Sequence, residues 1–216
     1  MVHHAALHYR DLPSFFGELR KRSSVSARAL AFTVLTAARS GEVRHATWAE
    51  VNLGEALWTI PGEHTKSRRE HRVPLAAAAI AVLKVVAPAS AQQPTDLIFP
   101  GDPATRPSGD RDTLTQTEQS ALSENTMLKL LQEDMGQPDV TVHGFRSAFR
   151  DWGAEMTSYP RELLEAALAH VLKDKTEGAY QRGDLFDRRR EVMDAWAKYC
   201  TASDMTDATR KAKKRS

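Results

Sequence analysis

Residues 141–156, TVHGFRSAFRDWGAEM, place Phe145, Phe149 and Trp152 at helical spacing, so three aromatic rings fall on one face. A helix with that face must pack it against other elements, and the chain has to build a core around it. The same stretch sets His143 and Arg146 three residues apart at the head of the helix, neighbours on its surface. Two side chains suited to phosphate thus stand where a helix N-terminus already favours an anion. Alone, the pair supports an anion site and nothing sharper: a histidine bonded to backbone and a surface arginine are the ordinary readings.

The chain around this helix has 216 residues, enough for one good-sized domain. No apolar run approaches the roughly 18 residues of a membrane span, and MVHHAALHYRDLPSFF lacks the layout of a signal peptide, so the expected location is the cytoplasm. A single cysteine, Cys200, excludes an internal disulfide and any Cys-rich metal motif; it reads as a small apolar residue near the end of a helix.

Periodicity predicts a mostly helical chain with one small sheet. DLPSFFGELRKR offers an Asp cap and an early Pro, and SVSARALAFTVLTAAR a Ser cap and a largely buried helix; SGEVRHATW opens a short helix at Ser40. From Trp48 the period changes. WAEVNLGEALWTIPG carries β-formers around the turn NLGE, and REHRVPL returns as a further strand, with EHTKSRRE at a turn between them. AAAAIAVLKVVA reads as helix, DLIFPG as a brief extended piece, and GDPATRPSGDRDTLTQTEQ as a long surface loop. SENTMLKLLQEDMG is a helix bracketed by a Ser123 cap and Gly136. After the opening stretch come YPRELLEAALAHV, a turn of helix around TEGAYQ, and DRRREVMDAWAKYC. No internal repeat is present, which excludes a solenoid.

Net charge is only +2, yet five of the last seven residues, RKAKKRS, are basic, and TKSRREHR and DLFDRRREV form further clusters. Such runs are commonly solvated faces, so the charge needs a site to give it meaning.

Several other residues carry candidate chemistry, each with a plain alternative. Arg39, in LTAARSGE, stands where an apolar helix ends, a place where arginines pair with carboxylates or cap carbonyls. Lys66 sits in the basic turn. His170, in LAH, precedes Tyr180, in AYQRGD, by ten residues; a core histidine and a packing tyrosine are the ordinary readings.

In combination, ARSGE, HTKSRREHRVPL, HGFR, LAH and AY, in that order, resemble the catalytic set of the tyrosine recombinases, the phage-type integrases. The phrases REHRVPL, HGFRSAFRDW and RRREVMDAW are similar to the branch found in prophages and genomic islands. The resemblance implies an α+β, mostly α fold, the tyrosine recombinase catalytic domain with helices around a small antiparallel sheet. That domain is expected over residues 1–203, with a basic tail at 204–216 and with the upstream core-binding and arm-binding domains absent.

It also implies roles. Arg39 and Arg146 clamp the non-bridging oxygens of a phosphodiester, where paired guanidinium bonds outperform an ammonium. Tyr180 attacks the phosphate and holds it as a 3′-phosphotyrosine, so no metal or nucleotide cofactor is required. A phenol of pKa about 10 needs help, which cationic neighbours and His143 as proton acceptor supply. Lys66 protonates the leaving 5′-oxygen, and His170 hydrogen-bonds a phosphate oxygen. Arg68 and Arg69, too firmly protonated to act as acids, contact the DNA backbone. Glu42 either orients the arginines or simply occupies a helix N-terminus.

The implied partner is a double-stranded DNA attachment site, bound by a chain that is monomeric when free and tetrameric in the synaptic complex, with accessory DNA-bending proteins, at the bacterial nucleoid and without a membrane. Met193 and Trp196 either dock this helix on a neighbouring protomer or pack it within the chain. The competing readings are a type IB topoisomerase, which relaxes one duplex, and a DNA-binding regulator that retains the fold without activity.

Overall fold

A small polar residue starts the second helix and a left-handed residue ends it. Ser24 accepts the Ala27 N–H at 3.2 Å and opens α2, Val25–Thr36, whose cap residue Ala37 turns left-handed at φ 50°. Most of α2 is buried, and its internal hydroxyls are satisfied by the preceding turn: Thr33 donates to Ala29 O at 2.8 Å and Thr36 to Phe32 O at 2.7 Å. The computed structural model to which these helices belong describes residues 5–87, 93–102, 120–170 and 185–202.

In chain order the described elements include a 3-10 turn, Tyr9–Asp11; α1, Leu12–Leu19; α2; α3, Ser40–Arg44; a 3-10 turn, Trp48–Glu50; strands β1, Val51–Asn52, and β2, Leu57–Ile60; a 3-10 turn, Gly62–His64; β3, His71–Pro74; α4, Ala77–Val86; α5, Thr126–Lys129; α6, Gly144–Met156; α7, Arg161–Ala167; and α8, Phe186–Cys200. The strands form one antiparallel sheet in the order β1-β2-β3, with Trp58 opposite both Val51 and Val73, and Ile60 opposite His71. The expected mostly helical chain with one small antiparallel sheet is what the structure contains. DLIFPG forms isolated bridges, Thr47 with Leu97 and Pro100 with Ala121. Among the described residues no helix is long and apolar enough to cross a membrane.

Two local expectations change. Asp11 precedes α1 as predicted, but its side chain makes no capping bond. Ser123 is not the cap of α5: Asn125 holds that position, while Ser123 accepts the Thr126 N–H through its carbonyl at 3.1 Å. Beyond α5 the backbone widens into a π turn over Leu130–Asp134, where the Met135 N–H reaches Leu130 O at 3.0 Å. Gly136, at φ 65°, ends it as expected. The turn around TEGAYQ, the loop at 103–119 and the tail lie outside the described residues.

The core is organised on aromatic rings from α6 and α8. Phe149 meets Trp196 edge-on at 5.3 Å between centroids, and Trp152 lies 5.0 Å from the same ring. Trp196 is fully buried and its indole N–H donates to Val34 O at 2.8 Å, tying α8 to α2. Met193 is buried as well, so the two residues pack α8 within the chain and offer no apolar face to a neighbour.

The basic cluster at the head of α8 also turns inward. Arg189, 1% exposed, donates to Arg72 O on β3 at 2.6 Å, and Arg190 donates to Glu55 O at 3.0 Å. The Arg72 guanidinium lies 4.2 Å from the centre of the Phe186 ring. Trp196→Ala should cost about 3–5 kcal/mol in urea unfolding, whereas Val85→Ala, at an exposed site, should stay within about 0.5 kcal/mol.

Candidate active site

The histidine–arginine helix is aimed by the chain's N-terminal segment. Thr141 accepts the Gly144 N–H at 3.1 Å through its hydroxyl, and its own N–H donates to Ala5 O at 3.0 Å. A Cβ on Gly144 would stand 2.5 Å from Ala5 O, so the glycine of HGFR is what lets this segment cross the helix start. His143 is the N-cap residue, exposed to solvent, and Arg146 follows one turn later with only 4% of its surface exposed.

Arg146 reaches the ends of two helices. Its NH1 group donates to Ala37 O, at the left-handed cap of α2, and its NH2 group donates to Leu168 O, at the cap of α7, at 2.6 Å. Both carbonyls lie at helix C-termini, where backbone dipoles concentrate partial negative charge. Nε has no acceptor among the described residues. Burial first, and then the positive charge of Arg39, push the Arg146 pKa down to about 10, against the opposing pull of Glu42 and Glu165; the guanidinium is still charged at neutral pH.

Arg39 is two residues beyond Ala37, at the joint of α2 and α3. Its backbone N–H donates to Glu42 Oε2 at 2.8 Å and its NH1 group to Oε1 at 2.7 Å. Glu42 is 4% exposed. One carboxylate therefore caps α3 and holds the Arg39 side chain.

His170 has protein partners on both ring nitrogens: Nδ1 lies 2.6 Å from Glu165 Oε2 and Nε2 lies 3.1 Å from Arg146 NH2. A guanidinium can only donate, so Nε2 accepts and the ring proton sits on Nδ1, facing buried Glu165. In this arrangement His170 steadies Arg146 and has no N–H aimed elsewhere.

Arg39, Glu42, Arg146 and His170 thus come together. His143 stands three residues before Arg146, at the N-cap of the same helix. Lys66, Arg68 and Arg69 are exposed on the turn between β2 and β3, and Lys66 has no hydrogen bond or ion pair to this cluster among the described residues. Tyr180 lies outside the described residues.

Sequence reasoning missed Glu165 and His71. His71 starts β3 on the same face as buried Val73, and that two-residue period in REHRVPL was its available signal. Its pKa is pushed down to about 4, by burial foremost and then by the charges of Arg189, Arg146 and Arg39, with a hydrogen bond to the Ala167 backbone opposing. The imidazole is therefore neutral at pH 7, within the electrostatic reach of three guanidinium groups.

The Phage integrase family model matches residues 7–184. This chain belongs to the phage integrase family. It is 32% identical to "Prophage integrase IntA" of Escherichia coli (strain K12) over 196 residues, covering 90% of this chain and 44% of that protein. It is 30% identical to "Prophage integrase IntZ" of the same organism, with the same coverage, and 30% identical to "Integrase" of Enterobacteria phage P4, covering 91% of this chain and 45% of the phage protein. The chain thus spans less than half the length of these relatives.

His71 also makes the fold's acid stability testable. The unfolded chain protonates this residue near 6.5, while the folded chain resists until about 4, so the unfolded state binds more protons as pH falls. His71's contribution is complete above 6.5 and is lost between 6.5 and about 4. His71→Gln should flatten the decline in melting temperature across that window, as read by thermal melts at stepped pH.

Proposed function

We propose that the chain is the catalytic domain, with the tyrosine recombinase fold, of an enzyme that integrates or excises a mobile element by cutting and rejoining DNA at an attachment site. The observation that carries this reading is the convergence of Arg39 and Arg146 at one helix joint, each held in place by a buried carboxylate or by helix ends. Two preorganised guanidinium groups suit the charge that builds on phosphate oxygens in phosphoryl transfer, which is stabilised mainly by positioning and electrostatics.

In this reading the Tyr180 oxygen attacks the scissile phosphorus as the bond to the 5′-oxygen breaks. The phenolic proton passes to His143, and Lys66 gives a proton to the departing 5′-oxygen. Arg39 and Arg146 hold the non-bridging oxygens, with Glu42 and His170 orienting them; His170 turns to the phosphate itself only by exchanging its Arg146 contact. A second strand's 5′-hydroxyl then reverses the step on the 3′-phosphotyrosine, which needs no external energy source and no cofactor. Arg68 and Arg69 meet the DNA backbone, a sequence-independent and salt-sensitive contribution. The working assembly is a tetramer on two duplexes at the bacterial nucleoid, formed from monomers and aided by DNA-bending proteins.

A duplex spanning the junction between element and host, nicked beside the scissile phosphate, tests this. The parent chain should form a covalent adduct, Tyr180→Phe none, and Arg39→Ala about 100-fold less or lower while retaining weak binding. An adduct with Tyr180→Phe would remove the nucleophile assignment. Plasmid relaxation without any recombinant would favour the topoisomerase reading, and binding with no adduct the regulator.

A further inference from the structure

A third buried carboxylate, besides Glu42 and Glu165, lies apart from the arginine clamp, under the turn that carries Lys66. Glu50 ends the 3-10 turn Trp48–Glu50 and is 9% exposed. Its Oε2 accepts the Trp58 indole N–H at 2.8 Å, and its Oε1 lies 3.2 Å from His64 Nδ1. Trp58 is fully buried on β2, so one oxygen of the carboxylate is fixed to the sheet and the other faces the turn. His64 closes the 3-10 turn Gly62–His64, two residues before Lys66.

Buried Thr65, directly between them, holds the two sides of the turn together. Its hydroxyl lies 2.8 Å from Arg69 O and accepts the Arg69 N–H at 3.1 Å. Lys66 therefore projects from a turn closed by Thr65 and tied to the sheet through His64, Glu50 and Trp58. The contact survives a change in His64's charge, because an Nδ1–H can donate to Glu50 in the neutral ring and in the imidazolium.

We infer that Glu50 and His64 are a positioning pair that sets where Lys66 delivers its proton. This rests on Lys66 being the acid for the leaving 5′-oxygen. A lysine on an exposed turn has a long stem and no rigidity of its own, and proton transfer in the transition state depends on hydrogen-bond reach. Fixing the turn at its root confines the volume the ammonium can sample. The carboxylate's other partner, an indole in the core, keeps that root still.

The leaving atom distinguishes positioning of the acid from a general defect. With sulfur in place of the scissile 5′-bridging oxygen, the departing thiolate needs no proton. Single-turnover adduct formation is measured on the oxygen and sulfur forms of the nicked duplex, with parent, Lys66→Ala, His64→Ala and Glu50→Gln chains. On the oxygen duplex Lys66→Ala should lose at least about 100-fold and His64→Ala about 10- to 100-fold, and on the sulfur duplex both should return to within about threefold of the parent. Glu50→Gln, which keeps an acceptor for the Trp58 indole but removes the charge facing His64, should follow His64→Ala.

If sulfur rescues Lys66→Ala but not His64→Ala or Glu50→Gln, or if those two variants cut the oxygen duplex at the parent rate, the positioning role is wrong and Lys66 remains the acid. If sulfur fails to rescue Lys66→Ala, the acid assignment itself falls, and this inference with it.

Discussion

The arrangement depends on one buried cation. Arg146 carries a full positive charge into a site 4% exposed, a placement that is costly unless its donors are met. Two of its partners are backbone carbonyls at the ends of α2 and α7, which no side-chain substitution can remove. The guanidinium therefore acts as a fastener between two helices, and the fold in turn fixes where the charge stands. His170 and Glu165 extend the arrangement outward, so an exposed histidine is coupled through Arg146 to the end of α2, more than a hundred residues away in sequence.

Such a fastener limits what the neighbourhood tolerates. Ala37 adopts a left-handed backbone to present its carbonyl, a conformation that costs an ordinary residue of order 1 kcal/mol. Gly144 and Gly153 allow close approach on either side: the first lets the N-terminal segment cross α6, and the second admits Leu164 of α7, whose Cδ1 would lie 2.6 Å from an added Cβ. The helix that carries Arg146 is thus held from both flanks as well as through its aromatic face.

Much of this was legible in the sequence, because periodicity and capping are local. Ser24, Gly136, the turn at residues 52–55 and the aromatic face of α6 all follow from spacing and residue type, and the order of the motifs pointed to Arg39 and Arg146. The parts that were not legible depend on distant contacts. Glu165 looks like an ordinary charged residue of an amphipathic helix until α7 is set beside α6. His71 looks like one more basic residue in REHRVPL until β3 is placed against the clamp. The π turn at Leu130–Asp134 has no residue signature that we can identify, and Ser123 lost its expected cap to Asn125 although both residues suit the role.

The inward turn of Arg189 and Arg190 bears on how charge should be counted. A polyanion binds largely by freeing the ions condensed on it, one set for each cation that meets a phosphate. A guanidinium already bonded to a backbone carbonyl inside the fold frees none. Of the three consecutive arginines near the start of α8, Arg188 stands exposed, Arg190 is half-buried over the Glu55 carbonyl and Arg189 is an internal brace, so the run that looks in the sequence like a handle for DNA is in part committed to the fold. In the DNA complex proposed above, the ion stoichiometry would then be set by the turn between β2 and β3 and by other exposed cations, and would be smaller than the arginine and lysine content of the chain suggests.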